Sequence, residues 1–205
     1  IRPDMRNLLD TFAMRCKRLG YEAIEEMGKS PAQYYESTVK FLETSSRSHL
    51  AKGKAVSLLS PASGKYHNGE ASALTNGLRG WEDYHMNWLG FEGEDMDATV
   101  DLGSVRKISR VSADFLQDIN SWIFNPLTVE YHYSKDGSSF FPLAEIRNSS
   151  DERKNGAFIS PFAAEIEPVE ARYVRVKAKS LKICPSWHKG AGGEAWIFVD
   201  EIVVE

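Results

Sequence analysis

The chain has 205 residues, of which 29 are acidic and 25 basic, and its formal net charge is −4. This length supports one well-filled domain with an accessory segment, or two small domains, and we expect one main core. Lysine and arginine are scattered and not in excess, so the charge pattern argues against nucleic acid as a partner.

No stretch of the sequence predicts a membrane span or a secretory signal. There is no run of about 18 apolar residues, which is the least that crosses a bilayer. The start at Ile1 also lacks the basic, apolar and small-residue pattern of a signal peptide. A start without Met is expected of a processed product or an excised piece, so the missing signal does not identify the compartment.

A first amphipathic helix is predicted over residues 4–27. Apolar residues recur there at steps of three and four, which places them on one stripe of a helix. Gly20 is expected to weaken this helix without breaking it, and Gly28 is the predicted stop.

A second helix is predicted to follow at once. Ser30, Pro31 and Gln33 have the residue types of an N-cap, a first helical residue and a reciprocal capping partner. The helix is expected to run to about Thr44. We interpret residues 1–48 as a helical linker or hairpin segment, an antiparallel pair that must pack on something else.

Two cysteines do not make a disulfide framework. Cys16 lies on a predicted helical face and Cys184 precedes a proline, so their contexts differ. A bridge would need Cα atoms within about 7 Å of each other, and we do not expect this pair to form one.

Beyond Ser48 the apolar period changes from helical to alternating, as in strands. After one of these strands, the Asp136-Gly137 pair predicts a tight hairpin turn. Many short strands separated by long loops favour an antiparallel sandwich of the jelly-roll type. The predicted strands are 97–102 (closed by Gly103), 108–115, 127–134, 172–178 and 196–204.

The loops carry more large aromatic side chains than solvated connections need. Such a set suits a sugar, because a pyranose ring packs its C–H face on an aromatic plane while its hydroxyls need hydrogen-bonding partners. The alternative is that these rings cap the ends of the core. For Trp88 and Trp196, which have apolar neighbours, burial is the better interpretation. The loop residues are Trp81, Tyr84, His85, Trp122, Trp187 and His188.

Seven sequence blocks stand in a recognisable order: ALTNGLRG (73–80), WLGFEG (88–93), ATVDLG (98–103), FLQD…SWIFNP (115–126), VEYHYSKDGSSF (129–140), ARYVRVKAKS (171–180) and AWIFVDEIVV (195–204). With these blocks the chain resembles a discoidin domain, the coagulation factor V/VIII C-terminal type, which overlaps with the family 32 carbohydrate-binding modules. The resemblance begins at about Leu50, and we assign residues 49–205 to this module. The variant with FLQ, SWIFNP and PSWHKGAGG is similar to the module at the C-terminal side of bacterial β-hexosaminidases and putative chitobiases, notably of gut Bacteroidetes.

The resemblance implies an all-β fold, an eight-stranded antiparallel jelly-roll sandwich preceded here by the helical pair. It also implies a shallow ligand site in the loops at one end, and often one structural Ca²⁺. Carried over to this sequence, Asn76 stands where the family has the Asp of its DG calcium motif, and Glu201 matches the acidic residue of the last strand. Carbonyl oxygens near Ala73 would complete the oxygen shell. The alternative is a turn at Asn76-Gly77 that bonds to Glu201 without metal.

Sugar contacts in the family come from loop aromatics with histidine, arginine and amide partners. By loop position we expect Trp187 and His188 first. The further candidates are Trp122, Tyr84 and His85, with Gln117 and Arg79 as polar partners.

None of the common catalytic motifs is present in the sequence: there is no HExxH, no G-x-S-x-G and no phosphate-binding glycine loop. The acidic run Glu92, Glu94, Asp95 and Asp97 lies in and beside one loop, where a solvated edge is more common than a pair of carboxylates for glycoside cleavage. No catalytic residue is therefore predicted in this chain.

The leading hypothesis is a noncatalytic carbohydrate-binding module that holds a glycoside hydrolase on its glycan. From the resemblance we expect two partners, a terminal galactose- or N-acetylhexosamine-type sugar and a catalytic domain of the same polypeptide. We also expect a periplasmic, cell-surface or secreted location. The alternative is a structural or protein-interaction module that packs against a catalytic domain. Membrane attachment through loop tips, as in some animal discoidin domains, is a weaker hypothesis because the tips mix Trp with His, Gly and Lys.

Overall fold

The computed structural model describes residues 3–22, 30–45, 48–66 and 69–205. These residues form two compact units, 1–46 and 47–205. The first unit is helical and the second is built almost entirely of β-strands.

In the helical unit, α1 spans Pro3–Leu19 and ends earlier than the sequence pattern predicts. Gly20 adopts a positive φ of 70°, and the N–H of Tyr21 donates to the carbonyl of Cys16 at 3.1 Å. This is the left-handed helix end that glycine favours, so Gly20 stops the helix instead of only weakening it. The predicted stop at Gly28 lies outside the described residues. No described helix is long and apolar enough to cross a membrane.

The second helix, α2, spans Pro31–Ser45 and begins as predicted. The N–H of Gln33 donates to Ser30 Oγ at 3.2 Å, and the N–H of Ser30 donates to Gln33 Oε1 at 2.9 Å. This reciprocal pair confirms the capping box. The two helices contact each other through an edge-to-face pair of Phe12 and Tyr34, with ring centroids 5.8 Å apart.

The second unit contains seven strands within the described residues, arranged in the antiparallel order β2-β7-β3-β6-β4-β5 with β1 also paired to β3. Their bounds are Ala55–Leu58 for β1, Leu89–Glu92 for β2, Met96–Gln117 for β3, Thr128–Ser134 for β4, Phe141–Arg147 for β5, Phe158–Lys179 for β6 and Trp196–Val204 for β7. This architecture is an antiparallel sandwich of the predicted fold class.

The long strands β3 and β6 belong to both layers of the sandwich. The first part of β3 pairs with β1 and with the end of β6, whereas its last part pairs with β7 and the start of β6. The register shifts between Asp101 and Arg106, and Gly103 there has a φ of 83°. Gly103 therefore makes an irregularity inside one strand and does not end it. For this reason the structure has one strand, β3, where the sequence pattern predicted two. The described residues form seven strands, one fewer than the resemblance implies.

The main hydrophobic core lies between the layers. Strand β7 is buried along its whole length, since it sits between β2 and β3 and is covered on both faces. Trp88 and Trp196 are 1% and 8% exposed, which confirms their predicted burial.

Strand pairing brings several long loops to one end of the sandwich. Gln117 pairs with Phe158, and Thr128 pairs with both Arg147 and Lys179. The loops 118–127, 148–157 and 180–195 connect these strand ends, so they lie next to one another. We call this end of the sandwich the loop end.

Candidate functional site

Trp122 is the most exposed aromatic side chain of the loop end. It ends the short 3₁₀ turn Ile119–Ser121 in a left-handed conformation, with φ 65°, and its N–H donates to the carbonyl of Ile119 at 3.1 Å. Its side chain is 38% exposed. A non-glycine residue with positive φ is uncommon and needs support from its surroundings.

Two glycines support the Trp122 ring. A Cβ atom at Gly190 would lie 2.6 Å from the indole, and one at Gly193 would lie 2.8 Å from it. These separations are shorter than any normal contact, so only glycine allows the loop backbone to approach the ring this closely. The glycines of PSWHKGAGG therefore form part of the support for Trp122.

Two exposed amide side chains lie in the same loop end, and one of them, Asn120, belongs to the turn that ends at Trp122. The Nδ2 atom of Asn120 donates to Oδ1 of Asn155 at 3.2 Å, which joins loop 118–127 to loop 148–157. Asp118 accepts hydrogen bonds from Ser121 Oγ at 2.6 Å and from the N–H of Asn120 at 3.2 Å. We call Asn120, Trp122 and Asn155, with the supporting Gly190 and Gly193, the Trp122 platform. It combines an aromatic surface with hydrogen-bonding amides.

His188 does not present its ring to a ligand, contrary to the prediction. It is 7% exposed, its Nε2 donates to the carbonyl of Ile119 at 2.7 Å, and its Nδ1 accepts from the N–H of Gly190 at 3.0 Å. Both ring nitrogens are therefore satisfied inside the protein. His188 is a structural residue that joins the Trp122 turn to the glycine loop.

Gln117 is a second correction of the same kind. It is 1% exposed, and its Nε2 donates to the backbone carbonyl of Asp151 at 2.9 Å. A buried amide with a backbone partner stabilises the adjoining loop, so Gln117 anchors loop 148–157 and has no surface to offer a sugar.

Trp187 is only partly exposed. Its ring packs edge-to-face on Phe124 and His188, with centroids 6.3 and 5.7 Å apart. The guanidinium of Arg153 lies 5.1 Å from the ring centroid, in cation–π geometry. The predicted ligand role of Trp187 remains a prediction, but this ring is less open than that of Trp122.

A second group of aromatics lies in the segment before β2. Tyr84 is half-buried and packs on Tyr66 and Phe198, with centroids 6.3 Å away in both cases. His85 is exposed and contacts Oδ1 of Asp83 through Nδ1 at 2.9 Å. The predicted sugar contacts of Tyr84 and His85 remain predictions.

Arg79, the other predicted polar partner, forms an ion pair with the buried Asp114 and keeps about a third of its side chain exposed. Next to it, Asp200 accepts a hydrogen bond from the N–H of Gly80 at 2.9 Å. Burial raises the pKa of Asp200 to about 7, and Arg79 and the backbone donors oppose that rise. The positive charge of Arg79 thus stabilises the buried carboxylates of Asp114 and Asp200. Only part of its guanidinium is left for a ligand.

The residues around Glu201 do not fit the predicted Ca²⁺. Both carboxylate oxygens accept the N–H of Gly77, at 2.9 and 3.0 Å, and His49 Nε2 lies 2.9 Å from Oε1. Oδ1 of Asn76 accepts the N–H of Leu78 at 2.8 Å. Calcium requires six to eight oxygen ligands, whereas these oxygens face N–H donors. The described residues contain no group of three or more His, Cys, Asp or Glu side chains placed to hold a metal.

The acidic run near β2 is engaged in structural pairs. Asp97 binds Arg175 through two hydrogen bonds of 2.7 Å, and Glu92 pairs with Lys65 at 3.0 Å. Asp95 accepts the N–H of Ser180 at 2.9 Å. These carboxylates hold neighbouring strands and loops together.

Comparisons with known proteins agree with this architecture. The family model of the F5/8 type C domain matches residues 54–200. The module CpGH89CBM32-5 of Clostridium perfringens, in complex with GalNAc-β-1,3-galactose, is 19% identical with a TM-score of 0.51, over 77% of this chain and 99% of that chain. The C-terminal domain of a chitobiase from Bacteroides fragilis is 14% identical with a TM-score of 0.49, over 77% and 97%.

No curated protein matches the chain. The solved structures are less than 25% identical to it, so their similarity concerns the fold. The family model covers well over half of the sequence, including β1 to β6 and the first part of β7. The chain therefore belongs to the F5/8 type C (discoidin) domain family, and its structural neighbours are family 32 carbohydrate-binding modules.

Proposed function

We propose that this chain is a noncatalytic glycan-binding module that uses aromatic side chains at the loop end. The observation that carries the proposal is Trp122, whose indole is more than a third exposed although its backbone and ring are both held in place. A rigid exposed ring loses little conformational entropy when a ligand stacks on it. The platform is therefore prepared for a flat apolar surface such as the C–H face of a pyranose.

The amides of the platform supply the polar half of this recognition. Asn120 and Asn155 lie at the surface and bond to each other. Each amide has further donor or acceptor capacity for sugar hydroxyls. We infer that a sugar binds with its ring on Trp122 and its hydroxyls toward these amides. Such a contact is weak by itself, but tethering raises the local concentration of substrate for an attached enzyme.

The proposed ligand is a terminal galactose- or N-acetylhexosamine-type sugar. Support comes from the resemblance and from the C. perfringens module, which is in complex with GalNAc-β-1,3-galactose. We propose that the parent is a bacterial glycoside hydrolase of the β-hexosaminidase or chitobiase type, from the Bacteroidetes, that acts in the periplasm, at the cell surface or after secretion.

The proposal is tested by glycan-array binding followed by NMR titration with GalNAc-β-1,3-galactose. We expect dissociation constants in the millimolar to micromolar range, with chemical-shift changes at the Trp122 indole. Trp122→Ala should weaken binding at least about tenfold, which corresponds to 1.4 kcal/mol. Absence of binding across the whole array would overturn the proposal.

Phe141→Ala is the matched control for this experiment. Phe141 is also an exposed aromatic, at 55%, but it lies in β5 beside the 135–140 hairpin, away from the loop end. Its loss should leave the dissociation constant unchanged. Equal losses in both variants would mean that general surface hydrophobicity, and not the platform, causes the binding.

A protein-interaction role is the second candidate, and the helical unit favours it. Three apolar side chains of α1, Leu8, Met14 and Leu19, are 70%, 66% and 63% exposed. Met14 also lines an apolar concavity with Ala13, Tyr21 and Pro31. Exposed apolar patches often mark contacts with other proteins. We propose the catalytic domain of the same polypeptide as the partner. Met14→Glu should then weaken association with a separately expressed catalytic domain in size-exclusion chromatography, and unchanged association would exclude this surface.

A further inference from the structure

The carboxylate of Glu201 joins three separate parts of the β-sandwich unit. It lies in β7, accepts the N–H of Gly77 from the 76–77 turn, and contacts His49 from the segment before β1. The side chains of His49 and Glu201 are 0% and 1% exposed. A buried carboxylate without partners would be strongly destabilising, so these donors are what allow Glu201 to be buried.

The segment that carries His49 is itself anchored on both sides. The N–H of Leu50 donates to the carbonyl of Val204 at 2.8 Å, and the N–H of Gly53 donates to the carbonyl of Thr75 at 2.6 Å. Ala51 between them is fully buried. The position of His49 beside Glu201 is therefore set by backbone bonds to β7 and to the helical turn before Asn76.

Lys52 places a cationic side chain at the same turn. A Cβ atom built on Gly77 would lie 2.4 Å from Lys52 Cε and 2.7 Å from Nζ. The lysine therefore extends across the face of Gly77, which is buried and has a φ of 81°. No side chain other than hydrogen leaves room there for the ammonium group to lie over the turn.

We propose that His49, Lys52 and the Gly77 N–H form an internal clamp on Glu201 that does the structural work of a bound cation, so that the sandwich is equally stable with and without calcium. The carboxylate of Glu201 accepts the N–H of Gly77 and contacts His49 Nε2, and Lys52 lies over the same turn. Asn at position 76 agrees with this arrangement, since it adds no second carboxylate and its amide donates to Asn87 Oδ1 at 2.8 Å. The proposal concerns stability and does not depend on the proposed sugar binding.

The clamp also sets the base of the segment that carries Tyr84 and His85. Asn87 Nδ2 donates to the carbonyl of Leu78 at 2.7 Å, and Asn76 bonds to Asn87 from the other side. These amide bonds close the segment 78–87 directly behind the turn. Loosening the clamp should therefore increase the mobility of this segment before it affects the distant β4–β5 hairpin.

The first test is thermal unfolding of the whole chain with millimolar CaCl₂ and with excess EDTA. A cation that binds only the folded state at about 100 times its Kd would raise the melting temperature of a domain of this size by about 5 °C or more. The clamp predicts no difference between the two conditions. A calcium-dependent rise of that size would overturn the proposal.

The second test removes the clamp one side chain at a time. His49→Ala should lower the melting temperature by several degrees, His49→Gln by less because its amide can still donate, and Lys52→Met by a smaller amount. Lys54→Met is the matched control, since this lysine belongs to the same segment but lies near Gly103. Equal effects of Lys52→Met and Lys54→Met, or no effect of His49→Ala, would contradict the clamp. If His49→Ala fails to fold, the comparison of the two lysine variants and the calcium test still decide.

Discussion

The Trp122 platform and the Glu201 clamp use polar and aromatic groups in opposite ways. At the platform a large apolar ring stays exposed and the neighbouring amides keep hydrogen-bonding capacity. At the clamp the side chains of His49 and Glu201 are buried, and the N–H of Gly77 is directed at the carboxylate. The difference separates the proposed binding surface from the scaffold, because a satisfied buried group has nothing left to offer a ligand whereas an exposed rigid ring does.

His188 shows that a residue's position in a loop does not determine whether its side chain is buried or exposed. It lies within a few residues of Gly190 and Gly193, which support the exposed Trp122. Yet its ring is buried, and both of its nitrogens have partners, as at the clamp. The loop 180–195 thus contributes one buried structural residue, His188, and two glycines that support the proposed binding surface.

The largest expected effect is at the clamp. Glu201→Ala leaves His49 buried without its partner and removes the acceptor of the Gly77 N–H, and breaking a buried pair in this way costs about 3–5 kcal/mol. We expect a fall of this size in the free energy of unfolding, measured by urea denaturation. A loss below about 1 kcal/mol would mean that Glu201 resembles an exposed surface carboxylate.

His188→Ala should destabilise the protein by about 2–3 kcal/mol, since it removes two buried hydrogen bonds and leaves a cavity. Because His188 also holds the turn that ends at Trp122, any loss of sugar affinity should be accompanied by this loss of stability. A variant that retains full stability but loses binding would assign His188 to the ligand and restore the original prediction.

The pH dependence of stability provides a test of buried charge beside the clamp. The folded pKa of Asp200, about 7, is raised above its unfolded value of about 3.9, so the folded state binds the extra proton between these two values. The contribution of Asp200 is therefore most favourable at low pH and is lost as pH rises to about 7. Relative to Asp200→Asn, the wild type should lose about 2 kcal/mol between pH 5 and 7.5 in urea denaturation. A constant difference across this range would show that the pKa is not raised.

The smallest expected effect is the loss of sugar affinity in Gly190→Ala. This variant tests the platform without replacing Trp122 itself. The new Cβ would lie 2.6 Å from the ring and must displace it, so sugar affinity should fall about three- to tenfold in an NMR titration. Gly64→Ala is the control, because nothing lies within 4 Å of its Cβ position. Unchanged affinity in Gly190→Ala would mean that the position of Trp122 does not matter for binding.

Local features were predictable because their signals lie within a few residues. The Ser30–Gln33 capping box formed as predicted. A hairpin also formed around Asp136-Gly137, where Gly137 has a φ of 79° and Asp136 Oδ1 accepts the N–H groups of Ser138 and Ser139 at 2.9 Å, but its loop is longer than the predicted tight turn, since the last paired residues are Tyr133 and Phe141. In both cases short side chains bond to nearby backbone groups, and the partner is fixed by spacing alone.

Sequence reasoning missed β1, β2 and β5, and the two shortest of these, β1 and β2, depend on distant partners. Ala55 of β1 pairs with Asp101 of β3. Leu89 of β2 pairs with Val199 of β7, which lies more than a hundred residues further along the chain. Four residues are too few for an alternating pattern to be distinguished from a loop. These short strands are therefore stabilised by the ladder they join and less by their own composition.

The amino-acid sequence by itself determined the family, the order of the main strands and the loops in which aromatics accumulate, since these follow from local pattern and from blocks in a recognisable order. Only the tertiary structure decided which polar and aromatic side chains remain available. Gln117 and His188 are buried because backbone carbonyls at Asp151 and Ile119 meet them, while Trp122 stays exposed because two glycines support it from below. Burial depends on contacts between residues far apart in the chain, and such contacts exist only once the strands have paired.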